Sequence, residues 1–148
     1  MQAMSISTIL FVCTGNTCRS PLAEGLANKW FIDHGFKEWL AVSAGIHAFE
    51  GMPTSEGTVQ ALSGRGIAFD GTSKLLTEEM AKEATVVFCM SKNHLATAER
   101  YSDNAKLLDS EGSISDPIGQ EQAAYDALAN HLEELITSTL ETLTKEGV

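Results

Sequence analysis

Two residues six positions apart carry the chemistry that this chain advertises: Cys13 and Arg19, joined by the small polar run Thr14-Gly15-Asn16-Thr17-Cys18. A thiolate is the nucleophilic form of cysteine, and a nearby cation and backbone N–H groups favour it. Arginine offers a planar fork of donors that matches two oxygens of a phosphate. Small residues between them let the backbone curl so that its N–H groups point inward at an anion, and Gly15 and Asn16 are the types that best tolerate left-handed conformations. The pattern therefore reads as a site for attack on phosphorus, with the positive field expected to lower the Cys13 pKa.

The elements on either side fit that use. Ile9-Leu10-Phe11-Val12 is a short apolar run that ends at Cys13, and Ser20-Pro21 opens a helical pattern with proline in the first turn. Strand, tight loop and helix N-terminus together form an anion site, because the first N–H groups of a helix lack partners and lie at the positive end of its dipole. A second pattern of interest is Asp116-Pro117 in the loop-forming run Ser115-Asp116-Pro117-Ile118-Gly119, which would present Asp116 to solvent or to a cleft.

The rest of the chain alternates strand with helix. Apolar or β-branched runs at Thr8–Val12, Trp39–Ala44, Ala84–Met90 and Lys106–Leu108 read as strands. Helices are expected after Pro21 as far as Gly35, over Pro53–Arg65, after the cap Thr77, from Ser91 to Arg100, and through Leu128, Leu132, Ile136 and Leu140 at the end. This order predicts an α/β fold of three layers, α/β/α, with a central four-stranded parallel sheet and the ligand site at the strands' carboxyl ends. The 148 residues, 43% hydrophobic, suit one domain spanning 1–148.

Composition narrows the partners. A net charge of −10 argues against nucleic acid, since no stripe of Lys and Arg is present. No run is long and apolar enough to cross a bilayer, and Met1–Thr8 lacks the features of a secretory leader, so a cytoplasmic protein away from the membrane is expected. Three cysteines do not suit a secreted disulfide framework. His34, His47, His94 and His131 form no metal-ligand spacing with the cysteines and read as surface or packing residues, so neither metal nor cofactor is expected.

The run VCTGNTCRSPLAE resembles the signature of the low-molecular-weight protein tyrosine phosphatases, with Cys13, Gly15, Asn16, Cys18, Arg19, Ser20 and Pro21 in its fixed positions. The resemblance implies a Rossmann-like fold with the phosphate loop between strand 1 and helix 1. It also implies a hydrolase that passes through a phosphocysteine on Cys13, with Arg19 holding the phosphoryl group and Asp116 as general acid. Thr14, Gly15, Asn16, Thr17, Cys18 and Ser20 would line the phosphate, or a similar inorganic oxyanion. Ser43, in the run Ser43-Ala44-Gly45, would join Ser20 in holding Asn16, and Ser20 would donate to the Cys13 thiolate. Phe49 is a candidate for the cleft wall, and Cys18 for a thiol that captures an oxidised Cys13 as a disulfide.

Two positions bear on the substrate, a phosphorylated protein side chain. Thr17 stands where many tyrosine-specific members carry isoleucine, and the run C-T-G-N-T-C-R-S is similar to that of bacterial protein arginine phosphatases. Ile118 stands where tyrosine-specific members tend to have an aromatic, which forgoes about 0.5–1.5 kcal/mol of ring stacking on a phenol. Both favour phosphoarginine, with phosphotyrosine as the alternative. A thiol-linked arsenate reductase is disfavoured because it needs two further cysteines after the third strand and only Cys89 is available. A silent phosphate-binding module is disfavoured by the presence of Cys13, Arg19 and Asp116.

Overall fold

A computed structural model describes residues 5–112 and 114–145; Met1–Met4, part of the stretch read above for a leader, lie outside them. Four parallel strands form the sheet: β1 (Ser7–Cys13), β2 (Trp39–Gly45), β3 (Val86–Cys89) and β4 (Ala105–Leu107), in the order β2-β1-β3-β4. Five helices accompany them: α1 (Arg19–Asp33), α2 (Glu56–Ser63), α3 (Glu78–Glu83), α4 (Lys92–Ala98) and α5 (Gln122–Lys145).

β1 is central, paired with β2 from Ser7↔Trp39 to Cys13↔Gly45 and with β3 from Ile9↔Val86 to Val12↔Cys89. Its unbroken apolar run follows from burial on both faces. Ile9 and Phe11 pack with residues of α1, α2 and α5, whereas Leu10 and Val12 pack with residues of α3 and α4 on the opposite face. Full burial of each large side chain contributes about 1.5–3 kcal/mol, so β1 anchors both layers. The chain leaves β1 for β2 on one side and returns to β3 on the other. The loop after Cys13 therefore opens at the point where the strand order reverses.

The elements stand where the sequence puts them, with ends that differ by a few residues: β1 and β2 run slightly longer, β3 is shorter and β4 is shifted by one residue. The largest difference is α2, expected from Pro53 but starting at Glu56. Pro53 instead pairs with Thr72 in an isolated bridge, and Ser55 spends both its N–H and its hydroxyl on the Thr17 carbonyl. That ties the start of α2 to the phosphate loop. Among the described residues no helix is long and apolar enough to cross a membrane.

Candidate active site

Cys13 is the last residue of β1, and α1 begins at Arg19 with no side-chain cap and no acidic residue in its first turn. The N–H groups of residues 14 to 19 meet no backbone or side-chain oxygen among the described residues, and that of Asn16 is directed at the Cys13 sulfur. The loop is thus a cup of free donors at a positive helix end.

Asn16 takes φ 57°, the sole non-glycine with positive φ among the described residues. Its side chain explains how that conformation is held. Nδ2 donates to Ser20 Oγ at 2.8 Å and to Ser43 Oγ at 2.9 Å, while Oδ1 accepts from the Lys74 N–H at 2.8 Å. Ser43 in turn donates to Glu24 Oε1 at 2.6 Å. Ser20 Oγ, having accepted from Asn16, has its own hydrogen free for Cys13 Sγ, 2.8 Å away. Gly45, next to Ser43-Ala44, is required by close approach: an added Cβ would stand 2.4 Å from the Thr14 carbonyl oxygen and 2.9 Å from the Asn16 nitrogen.

Burial pushes the Cys13 thiol above its ordinary value. The Ser20 hydroxyl, the N–H groups of Ser20 and Asn16, and the Arg19 charge pull it back without cancelling the rise. That rise runs against the lowering expected from the loop's field, since desolvation of a residue 3% exposed opposes the donors. Ionisation of Cys13 depends on each of them.

Arg19 is buried and oriented by three acceptors: the Ile114 carbonyl at 3.1 Å from Nη1, and Thr14 Oγ1 and Asp116 Oδ2, each 3.4 Å from Nη2. Asp116 lies in the loop after β4, its other oxygen accepting from the Ile118 N–H at 3.1 Å. Cys13, Arg19 and Asp116 are thus brought to the carboxyl end of the sheet, by the end of β1, the start of α1 and the loop after β4.

The Cys18 sulfur is buried, 3.2 Å from Ser55 Oγ and 3.7 Å from the Tyr125 hydroxyl, and both Cys13 and Cys18 are free thiols. Thr17 is half-buried, its hydroxyl 3.8 Å from the Cys18 sulfur. Phe49 and Ile118 are 79% and 64% exposed. Cys89 is enclosed in β3 with its thiol pushed up to about 12 by burial, then by Glu99, which leaves it poorly suited to disulfide exchange. Among the described residues no three His, Cys, Asp or Glu are grouped to hold a metal.

Sequence reasoning gave no role to Glu24, the Lys74 N–H or the Ile114 carbonyl, and read His94 only as a surface or packing residue. His94 is of the packed kind, 2% exposed, with its Nε2 2.8 Å from Thr14 Oγ1.

A cysteine in a cup of amides, with an arginine and an aspartate over it, on a β2-β1-β3-β4 sheet, defines a cysteine-based protein phosphatase of low molecular weight. The family model described as low molecular weight phosphotyrosine protein phosphatase matches residues 8–148, and the chain belongs to that family. It is 35% identical over 150 residues to a protein-arginine-phosphatase of Bacillus subtilis (strain 168), covering 93% of this chain and 97% of the relative. Among solved structures, a low molecular weight protein tyrosine phosphatase from T. tengcongensis is 38% identical with a TM-score of 0.86, covering 92% of this chain and 99% of its own. An arginine phosphatase, solved as a Cys-to-Ser mutant with a phosphorylated active-site serine, is 33% identical with a TM-score of 0.87, covering 93% and 96%.

Proposed function

We propose that this chain, as one cytoplasmic domain, removes the phosphoryl group from phosphoarginine in proteins, using Cys13 as nucleophile, Arg19 as phosphoryl clamp and Asp116 as general acid and base. The observation that carries the mechanism is the convergence of the Ser20-bonded Cys13 sulfur and the Asp116-bonded Arg19 fork on amides with no other acceptor. The Cys13 thiolate attacks phosphorus in line, the P–N bond breaks, and Asp116 gives its proton to the departing arginine nitrogen. Asp116 then takes a proton from water, whose oxygen attacks phosphorus. The P–S bond breaks, inorganic phosphate leaves, and the thiolate is restored. Phosphoryl transfer relies on positioning and charge stabilisation, which the cup supplies from residues 14 to 19 without metal or cofactor. The arginine phosphatase with a phosphorylated active-site serine supports a covalent intermediate here.

The phosphoarginine reading is supported by Thr17, a hydroxyl where an aliphatic side chain would offer only bulk, by Ile118 in place of a stacking aromatic, and by the 35% identical relative. The 38% identity to a tyrosine phosphatase supports the second reading, phosphotyrosine. The test is parallel kinetics on phosphoarginine and phosphotyrosine peptides, with Thr17→Ile alongside. A higher kcat/KM on phosphoarginine that Thr17→Ile diminishes is expected. A preference of the unmodified enzyme for phosphotyrosine overturns the substrate.

A further inference from the structure

Of the four histidines, all among the described residues, only His94 is buried, and the mechanism above gives it no task. It lies in the first turn of α4, at the carboxyl end of β3, the strand beside β1. Both ring nitrogens are engaged: Nδ1 is 3.0 Å from Ser91 Oγ and Nε2 is 2.8 Å from Thr14 Oγ1. Thr14 Oγ1 also accepts from Arg19 Nη2 at 3.4 Å. Ser91, His94, Thr14 and Arg19 therefore form one hydrogen-bonded line from the neighbouring strand to the guanidinium.

That line matters because of what Asp116 must do. Arg19 rests on the Ile114 carbonyl, on Thr14 and on Asp116, and an acid serving a leaving group cannot also remain paired with the guanidinium. Once Asp116 turns to the substrate, Arg19 keeps only Ile114 and Thr14. The first is main chain. The second is a rotatable hydroxyl, and His94 is what stops its rotation. Burial lowers the pKa of His94 to about 4, the Arg19 and His47 charges adding to this and Asp116 opposing it, so the ring is neutral near pH 7. It acts on Thr14 as a hydrogen-bonding group of fixed direction, not as a charge.

We propose that His94 is a positioning residue of the phosphate cup, which locks the Thr14 hydroxyl and through it the plane of Arg19 against the phosphoryl oxygens. This rests on reading the cup as the phosphatase centre. The test compares His94→Asn, whose amide falls short of Thr14, with His94→Gln, whose amide reaches it, each with and without Thr14→Val. The readouts are calorimetric binding of inorganic phosphate, kcat and KM on para-nitrophenyl phosphate, and melting temperature. Loss of one such hydrogen bond should weaken phosphate binding and lower kcat/KM by about tenfold in His94→Asn. His94→Gln should stay within about threefold of the unmodified enzyme, as expected when the bond is rebuilt. In the Thr14→Val background His94→Asn should add no further loss, since the two substitutions remove the same contact. Equal losses with and without the Thr14 hydroxyl, or a lower melting temperature with phosphate binding unchanged, overturn the proposal. A protein that binds phosphate but turns over no ester refutes the phosphatase reading, while the binding comparison still tests His94. Failure to bind phosphate at all overturns both.

Discussion

Replacing Ser20 by alanine should raise the pKa of Cys13 and slow everything that depends on its thiolate. Ser20 Oγ lies 2.8 Å from the sulfur and accepts from Asn16 Nδ2 at 2.8 Å, which leaves the serine hydrogen for Cys13. A hydrogen bond to a charged acceptor is worth about 1.5–3 kcal/mol, or roughly one to two pKa units. The sign is fixed: the bond stabilises the thiolate more than the thiol, so its loss raises the pKa. Burial acts in the same direction as the loss, so the two add. Alkylation by iodoacetamide, which is uncharged, measures the thiolate directly when its rate is followed against pH and the modified residue located by mass spectrometry. Below both pKa values the alkylation rate should fall about 10–100-fold, and the acid limb of kcat/KM should move up by the same one to two units. The substitution also leaves one Asn16 hydrogen without its acceptor, at about 1–3 kcal/mol of stability. A Cys13 that titrates at the same pH or lower in Ser20→Ala would refute the assignment of that hydroxyl hydrogen to sulfur.

Three further expectations follow, two from the geometry and the third from the spacing of Cys13 and Cys18 in the loop. Asp116→Asn should lower kcat by about 10²–10⁴-fold, while inorganic phosphate inhibits as well or better because Arg19 loses its anionic partner; equal losses in both would assign Asp116 to binding. Gly45→Ala should abolish phosphate binding and lower the melting temperature, since its Cβ would stand 2.4 Å from a main-chain oxygen that cannot swing away; unchanged binding would contradict the packing described here. Under mild peroxide Cys13 should reach the sulfenic acid, and Cys18 should expel water from it to form a disulfide that thiol reductant reverses. Cys18→Ala should then lose activity irreversibly, and equal recovery would exclude a protective Cys18.

The strand entering Cys13 and the helix leaving Arg19 were readable because their signals are local: an apolar run buried on both faces, small residues, then proline in a first turn. The hold of Ser20 and Ser43 on Asn16 came through family resemblance and not from spacing, since Ser43 reaches Asn16 only by lying on the adjacent strand. The Lys74 N–H and the Ile114 carbonyl gave no signal, because every residue but proline has both groups. His94 had a faint one: Ser91 and His94 follow a strand that the topology sets beside β1, so their loop had to border the cup. The desolvation that opposes the donors at Cys13 was hidden for a related reason. Donors can be counted in a sequence, whereas the depth of a sulfur emerges only when both faces of the sheet are covered.

The division of labour between main chain and side chain has an evolutionary consequence. The cup's amides are supplied by every residue from 14 to 19 whatever its side chain, and their curvature is secured by Asn16, Ser43 and Gly45 from below. The side chains of Phe49 and Ile118, by contrast, are largely exposed, and exchanges at such positions typically alter stability by no more than about 0.5 kcal/mol. Exposed positions of this kind can vary while the floor of the vessel stays unchanged, so relatives can share one skeleton and differ at its surface.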